Sequence, residues 1–173
     1  LHKAIRRQRQ MCIRDSYYID MDAWTYKTDK DGVNQAINSP FENLGLEVNY
    51  EKNVDNHFSY SLGTDISNPK SKDAGKWTRK FAREQYTASL KYNNRDFTAS
   101  LAGSMTADRA GGWKDRLPLN LYTSYQLSKD HRIDLVCENI LNREDLVGNW
   151  SSANSTRYYS LPRNIRITYT YTF

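Results

Sequence analysis

The last eleven residues of the chain alternate strictly between apolar and polar side chains. Every second position carries Ile165, Ile167, Tyr169, Tyr171 or Phe173, with Asn, Arg or Thr between them. Because successive side chains of a β-strand point to opposite faces, the pattern predicts a strand with one apolar and one polar face. An unpaired aromatic strand invites aggregation, whereas a closed barrel pairs its last strand with its first and leaves no edge. The segment therefore favours a closed barrel over a soluble β-sandwich.

The same alternation recurs along the chain and predicts an all-β fold. We expect eight strands, each about as long as a tilted strand needs to cross a bilayer. They cover residues 17–26, 41–51, 57–66, 84–93, 97–106, 117–127, 131–140 and 163–173. Short connections leave no room for crossovers, so the expected fold class is an antiparallel meander of neighbouring strands.

One face of this meander should be apolar and the other rich in Thr, Ser, Asn and Gln. In the first strand, where the pattern is weakest, we expect Tyr17, Ile19, Met21 and Ala23 on the apolar face. We expect the apolar face to be the convex one and to contact lipid. Packing of Tyr60, Leu90, Leu101, Leu121 and Ile167 into a closed interior would favour the soluble sandwich instead.

The connections between the expected strands alternate between long and short. The long ones are 27–40, 67–83, 107–116 and 141–162, and the short ones are 52–56, 94–96 and 128–130. The short ones are polar and suit tight hairpin turns. Outer-membrane barrels have short periplasmic turns and long extracellular loops, an alternation that soluble sandwiches do not require.

Aromatic residues form two groups that agree with this topology. Near the short turns lie Tyr50, Phe58, Tyr92, Phe97, Tyr125, Tyr171 and Phe173, and at the opposite ends or in long loops lie Trp24, Trp77, Trp113 and Trp150. Amphipathic rings prefer the headgroup level of a membrane, where one edge is wet. The pattern predicts one aromatic girdle at each interface.

Residues 1–16 differ from the rest of the chain. They hold five basic residues against one acidic residue, so of the net charge of +5 the other 157 residues carry only +1. Nucleic acid is therefore excluded as a partner. No apolar segment follows the basic start, which excludes a signal peptide. The run from Arg9 to Ser16 resembles translated sequencing adapter, so we expect 1–16 to be a non-native or disordered tail and 17–173 to be the folded part. The alternative is a natural basic arm.

The segment from Val136 to Asp145 resembles the turn that precedes the last loop of TonB-dependent receptors. The matching residues are Asn139, Ile140, Leu141, Asn142, Arg143 and, before the closing strand, Pro162 and Arg163. A second match runs from Asn68-Pro69-Lys70 through Gly75-Lys76-Trp77 to Arg83-Glu84-Gln85. The segment Glu144-Asp145-Leu146 departs from the family, in which an aromatic residue often follows the basic one. The resemblance covers about residues 17–173.

This resemblance implies the C-terminal part of a 22-stranded transmembrane β-barrel in the bacterial outer membrane. Such receptors enclose an N-terminal plug domain and import ferric siderophores, haem or cobalamin with energy from TonB, and they need no cofactor. The implied partners are outer-membrane lipid, a small-molecule metal chelate, TonB through the missing N-terminal part, and the barrel-assembly machinery. That machinery would recognise Tyr169, Tyr171 and Phe173 as the barrel-closing signal.

The residues suggest ligand binding rather than catalysis. His57 and His131 adjoin short turns, and neither a Ser-His-Asp set nor metal-ligand spacing is apparent around Cys12 and Cys137, so we expect neither an enzyme nor a metal site. The candidate ligand-binding residues are the basic and aromatic residues of the long loops, which suit an anionic chelate: Trp77, Arg79, Arg83, Trp113, Lys114, Arg116, Trp150, Arg157, Tyr158 and Tyr159.

We expect the cargo to be a ferric siderophore or similar iron chelate. The alternatives are a cobalamin or haem receptor of the same family, a porin-like passive channel, an outer-membrane enzyme, or a soluble β binding module.

Overall fold

A computed structural model describes residues 10–22, 25–28, 34–37, 39–73, 75–79, 81–150 and 156–173. Within these ranges the chain is all-β, with a single 3-10 turn at Ala110–Gly112. The expected interfacial Trp24 and the apolar Ala23 lie outside the described residues.

Fourteen strands are present in the described part of the chain. They are β1 (Gln10–Met21), β2 (Thr25–Thr28), β3 (Asn34–Ile37), β4 (Phe41–Asn53), β5 (Phe58–Ser67), β6 (Lys70–Asp73), β7 (Lys76–Arg79), β8 (Glu84–Asn93), β9 (Phe97–Ala107), β10 (Leu119–Gln126), β11 (His131–Glu138), β12 (Leu146–Trp150), β13 (Thr156–Tyr159) and β14 (Asn164–Tyr171). The eight longest, β1, β4, β5, β8, β9, β10, β11 and β14, correspond to the eight expected strands.

These eight strands form one antiparallel sheet. Its order is β14, β11, β10, β9, β8, β5 and β4, and β1 pairs with the other edge of β4. Strands that follow one another among these eight are therefore neighbours in the sheet, and each pair is antiparallel. The expected antiparallel meander is confirmed.

The long connections contain short hairpins that the sequence pattern did not predict. They are formed by β2 with β3, β6 with β7, and β12 with β13. The β6–β7 hairpin also extends the main sheet, because Phe41 and Glu42 of β4 pair with Ser71 and Lys70 of β6. Since β4 begins to pair with β5 only at Gly45, the hairpin uses the part of the β4 edge that β5 leaves free.

The strand register separates apolar from polar side chains. Residues directly opposite each other in an antiparallel pair share one face of the sheet. One such row across six strands consists of Tyr60, Leu90, Leu101, Leu121, Cys137 and Ile165. The neighbouring row, shifted by one residue along each strand and therefore on the opposite face, consists of Glu51, Ser61, Ser89, Ala102 and Asn120. The sheet therefore has an apolar face and a polar face, as expected; that the apolar face is convex stays a prediction.

The apolar face packs against nothing in the described part of the chain. Leu90 is 57% exposed and Ile167 is 70% exposed, and the buried apolar residues among those described are limited to Phe41, Ala107 and Cys137. The closed interior of a soluble sandwich is thus not what these residues form. Contiguous apolar surface of this extent marks contact with another apolar phase or partner.

The orientation of β1 corrects the sequence-based expectation. Tyr17 lies opposite Gly45 and Ile19 opposite Asn43, so Tyr17, Ile19 and Met21 belong to the polar face. The Tyr17 hydroxyl donates to Asp65 Oδ1 over 3.0 Å, with the ring crossing Gly45, where a Cβ atom would collide with it. In the observed register these residues share the face of Asn43 and Gly45, so the alternation is one residue away from the expected one.

β1 also begins earlier than expected. Residues Gln10 to Ser16 pair with Lys52 to Leu46 of β4, so the expected disorder does not apply to this part of the tail. Ladder pairing uses backbone groups that nearly every residue has, and a strand can therefore extend through unrelated sequence. Arg14 lies opposite Val48 on the apolar face, where an arginine is costly in a membrane. That residues 1–16 are non-native stays a prediction.

The short turns use one recurring device. The Asp55 carboxylate accepts hydrogen bonds from the backbone amides of His57 and Phe58, both at 2.7 Å. In the next short turn, the Asn94 side-chain oxygen accepts from the amides of Asp96 and Phe97 at 2.9 and 3.0 Å. These side chains satisfy amides that the hairpin leaves unpaired, which explains the polar residues at these positions.

The two turns should respond differently to acid. The amides of Phe58 and His57 hold the pKa of Asp55 below its usual range. This stabilisation is fully present above the ordinary aspartate pKa of about 3.9 and is lost as the pH falls through the folded pKa. In a pH titration by NMR, we expect the His57 and Phe58 amide signals to shift in acid. The Phe97 amide, whose acceptor is the neutral Asn94 side chain, should shift much less than the Phe58 amide; equal shifts at these two positions would contradict this account.

Two neighbouring positions of β9 test which face meets lipid. Leu101→Arg on the apolar face should destabilise the folded protein in lipid vesicles by about 2–4 kcal/mol, as expected for arginine near a bilayer midplane. Ala102→Arg on the polar face is the matched control and should have little effect. Both are measured by reversible denaturant unfolding of the full-length protein. A larger loss for Ala102→Arg would reverse the assignment of the faces.

Candidate ligand-binding surface at the loop end of the sheet

The candidate ligand-binding residues lie at one end of the sheet. We call the end at which the long connections 67–83, 107–116 and 141–162 lie the loop end, and the opposite end the turn end. Because the strands pair in sequence order, these three connections are neighbours in space. Side chains from different connections can therefore meet there.

The β6–β7 hairpin is anchored on the loop end of β4. Lys70 Nζ lies 2.9 Å from Glu42 Oε2 and 4.9 Å from the centre of the Trp77 ring. Ser71 of the hairpin is fully buried, and the Ser39 hydroxyl donates to the Lys72 carbonyl at 2.8 Å. Trp77 is exposed and lies against Lys70, and its role in ligand binding stays a prediction.

Arg79 and Arg83 are brought together around one carboxylate. Arg79 Nη1 lies 2.5 Å from Asp108 Oδ1, and Arg83 Nη1 lies 3.7 Å from Asp108 Oδ2. Arg79 also donates to the Arg109 carbonyl at 3.2 Å, and Arg83 donates to Asn68 Oδ1 at 3.0 Å. These contacts connect the hairpin to the 107–116 connection.

Arg109 connects that segment to the next one. Its guanidinium lies 4.8 Å from the centre of the Trp113 ring and donates to the carbonyls of Lys114, at 3.1 Å, and Leu146, at 2.6 Å. Trp113 is half-buried against this arginine, whereas Lys114 is exposed. The predicted ligand-binding role of Trp113 thus has to be combined with a structural one.

Asp145 links the 141–162 connection to Leu117, which precedes β10 at the loop end. Although 8% exposed, it is fully partnered: Arg143 Nη2 lies 3.1 Å from its Oδ1, and the Leu117 amide donates to its Oδ2 at 3.0 Å. Its own amide donates to the Ser160 hydroxyl at 3.0 Å. A buried, partnered charge of this kind fixes its neighbours and leaves them poorly tolerant of change.

The turn that carried the family resemblance has a clear structural purpose. Asn139 and Asn142 both adopt φ of 49°, a left-handed conformation that asparagine tolerates better than most residues. The Asn139 side chain donates to the carbonyls of Arg143 and Leu161 at 2.8 and 2.9 Å, and Asn142 Oδ1 accepts from the Arg163 amide at 2.9 Å. The turn therefore holds the last connection against the start of the closing strand.

The other candidates are spread along the loop end. Arg116 pairs with Thr106 through its backbone, and its buried Nε has no hydrogen-bond partner among the described residues. Arg157, Tyr158 and Tyr159 are exposed on β13. The backbone of Trp150 pairs with Thr156, and its side chain lies outside the description. The structure thus brings Arg79 and Arg83 together, links them indirectly to Trp113, and leaves the β13 residues apart.

Sequence reasoning missed three residues that organise this surface, namely Asp108, Arg109 and Asp145. Each contacts a residue from another connection, and such long-range pairs leave no local pattern. The one available signal was that Asp108 ends a strand, where aspartate often adopts the left-handed conformation; its φ is 44°.

Aromatic rings form the predicted girdle at the turn end. Successive ring centres lie 4.8 to 6.4 Å apart in the pairs Phe58–Tyr92, Tyr92–Phe97 and Phe97–Tyr125. On the closing strand, His131 stacks on Tyr171 at 4.9 Å and hydrogen-bonds the Tyr169 hydroxyl, while Phe173 contacts Tyr171 at 4.8 Å. The aromatic residues of the closing strand are thus grouped around a histidine.

Two cavities differ sharply in character. A groove of about 770 Å³ crosses the apolar face above the small residues Ala88 and Gly103, and its lining is almost wholly apolar. A polar cavity of about 60 Å³ lies beside Arg83 and is also lined by Asp65, Gln85 and Thr106. The groove lacks the converging polar groups of a catalytic site, and the polar cavity is too small for an organic substrate.

In the described ranges, no three His, Cys, Asp or Glu side chains lie close enough together to hold a metal ion. A search of the same ranges finds no helix that is long and apolar enough to cross a membrane.

Two solved structures share this fold. The structure of "Copper transporter OprC" aligns with a TM-score of 0.69 at 11% identity, over 95% of this chain and 29% of that one. The ferric-catecholate import receptor Fiu of E. coli K12 aligns with a TM-score of 0.70 at 11% identity, over 98% of this chain and 26% of that one. Both are TonB-dependent receptors, so the expected barrel-section fold is confirmed.

The chain spans less than a third of the length of either structure. No family model and no curated protein matches the sequence. At 11% identity, the likeness establishes the fold and not the cargo.

Removing the Asp145 carboxylate should loosen the loop end. In Asp145→Ala, the Leu117 amide loses its acceptor and Arg143 loses its partner. Charge-assisted hydrogen bonds contribute about 1.5–3 kcal/mol, so exchange of the Leu117 amide hydrogen should accelerate by roughly tenfold or more. The matched control is Asp115→Ala, because Asp115 is exposed and accepts from Arg143 through its backbone carbonyl. Equal acceleration in both variants would show that Asp145 has no special role.

Proposed function

We propose that the chain is the C-terminal part of the barrel of a TonB-dependent outer-membrane receptor that imports a ferric siderophore or similar iron chelate. One observation carries the proposal: an antiparallel meander with an uncovered apolar face, short turns at one end and long, linked connections at the other. The two transport receptors that share the fold support this class. They also favour transport over catalysis, and we propose no enzymatic activity.

The proposed location is the bacterial outer membrane. The apolar face suits lipid, and the ring contacts at the turn end suit the headgroup level of the periplasmic leaflet. The closing strand presents Tyr169, Tyr171 and Phe173 at that end, in keeping with recognition by the barrel-assembly machinery. TonB would act through a part of the receptor beyond this chain.

The proposed cargo follows from the chemistry of the loop end. The two receptors that share the fold are named for copper and for a ferric catecholate, so the fold does not choose a cargo. Exposed Lys114 and Arg157 suit an anionic chelate, and exposed Tyr158 and Tyr159 suit its flat rings. None of the three histidines lies in a long connection, which disfavours haem.

Uptake by the full-length receptor tests both class and cargo. We expect the triple variant Trp113→Ala, Lys114→Ala and Arg116→Ala to reduce uptake of an anionic ferric chelate by roughly tenfold or more, because it removes two cationic groups and one ring from the binding surface. The control is the pair Arg95→Ala and Lys129→Ala in the short turns, which removes two exposed basic residues from the other end. Surface levels of each variant are matched by immunoblot.

Different outcomes overturn different parts of the proposal. Uptake that persists in a strain without TonB would indicate a porin-like passive channel. Cobalamin or haem uptake without iron-chelate uptake would keep the receptor class and replace the cargo. An equal loss in the turn-end control would show that the effect is not specific to the loops.

A further inference from the structure

Arg79 and Arg83 at the loop end are already paired with one carboxylate. Asp108 places one carboxylate oxygen 2.5 Å from Arg79 and the other 3.7 Å from Arg83. A carboxylate between two guanidinium groups occupies the position that an external anion would take, because both would meet the same two positive charges. An anionic ligand must therefore compete with Asp108 for these donors.

The arginines do not depend on Asp108 for their placement. Arg79 also donates to the Arg109 carbonyl at 3.2 Å, and Arg83 donates to Asn68 Oδ1 at 3.0 Å. Both of these partners are neutral and belong to the surrounding connections. When the Asp108 carboxylate moves away, each guanidinium still has a contact that holds it near its present position.

The three side chains are also accessible to a ligand. The exposed fraction of the side chain is 40% for Asp108, 28% for Arg79 and 47% for Arg83. Ion pairs with this exposure contribute little to stability, so the carboxylate can be displaced at small cost. The polar cavity beside Arg83 is also lined by Asp65 and Glu84, whose negative charges disfavour an anion there.

We propose that Asp108 is an internal counter-ion that occupies an anion site formed by Arg79 and Arg83 and so sets the charge selectivity of the receptor. The inference rests on the proposed function and names its substrate class, a multiply charged anionic metal chelate. A singly charged anion offers Arg79 and Arg83 no more than Asp108 already supplies. A trianionic chelate offers more charge than one carboxylate and can displace it, which disfavours weaker competitors.

The test measures binding to the purified full-length receptor by quenching of tryptophan fluorescence. The probes are a trianionic ferric tris-catecholate and a neutral ferric trihydroxamate. Asp108→Asn removes the charge and suits the positive φ of 44° at this position. Asp108→Gly is a second charge-removing variant that tolerates the same backbone, in case the first folds poorly. Asp130→Asn is the matched control, because it removes an exposed carboxylate from a short turn at the other end of the sheet.

We expect both Asp108 variants to bind the trianionic complex about two- to fivefold more tightly, the range that corresponds to measured exposed ion pairs. The gain should shrink with added salt and disappear when Arg83→Gln is combined with Asp108→Asn. Binding of the neutral complex, and binding by Asp130→Asn, should stay unchanged.

Unchanged or weaker binding of the trianionic complex by the Asp108 variants would overturn the inference and assign Asp108 a purely structural role. An equal gain in Asp130→Asn, or an equal gain for the neutral complex, would overturn it as well. Uptake separates this result from the proposed function. TonB-dependent uptake of the trianionic complex with no gain in the variants leaves the function standing, whereas a gain in binding without any uptake overturns the function alone.

Discussion

The backbone ladder of the eight-strand sheet is the constraint on which the rest of the structure depends. Its register lines up alternating sequences so that one face of the sheet is mainly apolar and the other mainly polar. No interior within the described residues is large enough to hold the fold by burial. In an apolar solvent, however, a continuous ladder satisfies the backbone and the uncovered face becomes favourable. The same ladder sets the order in which the long connections meet.

The loop end is held together by charge and hydrogen bonding rather than by an apolar core. Three arginines, Arg79, Arg109 and Arg143, each bridge two connections, and Asp108 and Asp145 sit between them. Asp145 is buried, and both of its carboxylate oxygens have partners. Asp108 is more exposed, and its contact with Arg83 is 3.7 Å long. The loop end thus combines a buried, closely paired part around Asp145, near the closing strand, with a more exposed part around Asp108.

Alternation predicts the fold well where a strand is long and its two faces differ. Seven of the expected strands agree with the structure within three residues at each end. The pattern failed in β1, whose apolar residues lie on the polar face. There the Tyr17 hydroxyl donates to Asp65 of β5. The strands of the loop hairpins, four or five residues long, are too short to show a period. The partners of Asp108 and Asp145 are distant in sequence, so no local pattern indicates them. The basic and aromatic residues could be chosen from the sequence, but not which arginines share a carboxylate.

The β6–β7 hairpin and β5 share one edge of β4, and the hairpin pairs with the smaller part of it. It is held to β4 by two residue pairs, whereas β5 is held by nine. The backbone pairs of Phe41 and Glu42 with β6 can therefore break while the pairs of β4 with β5, from Gly45 onwards, stay intact. Release of the whole hairpin must also break the Lys70–Glu42 ion pair and the contacts of Arg79 with Asp108 and Arg109, so side chains as well as backbone pairing hold this part of the rim.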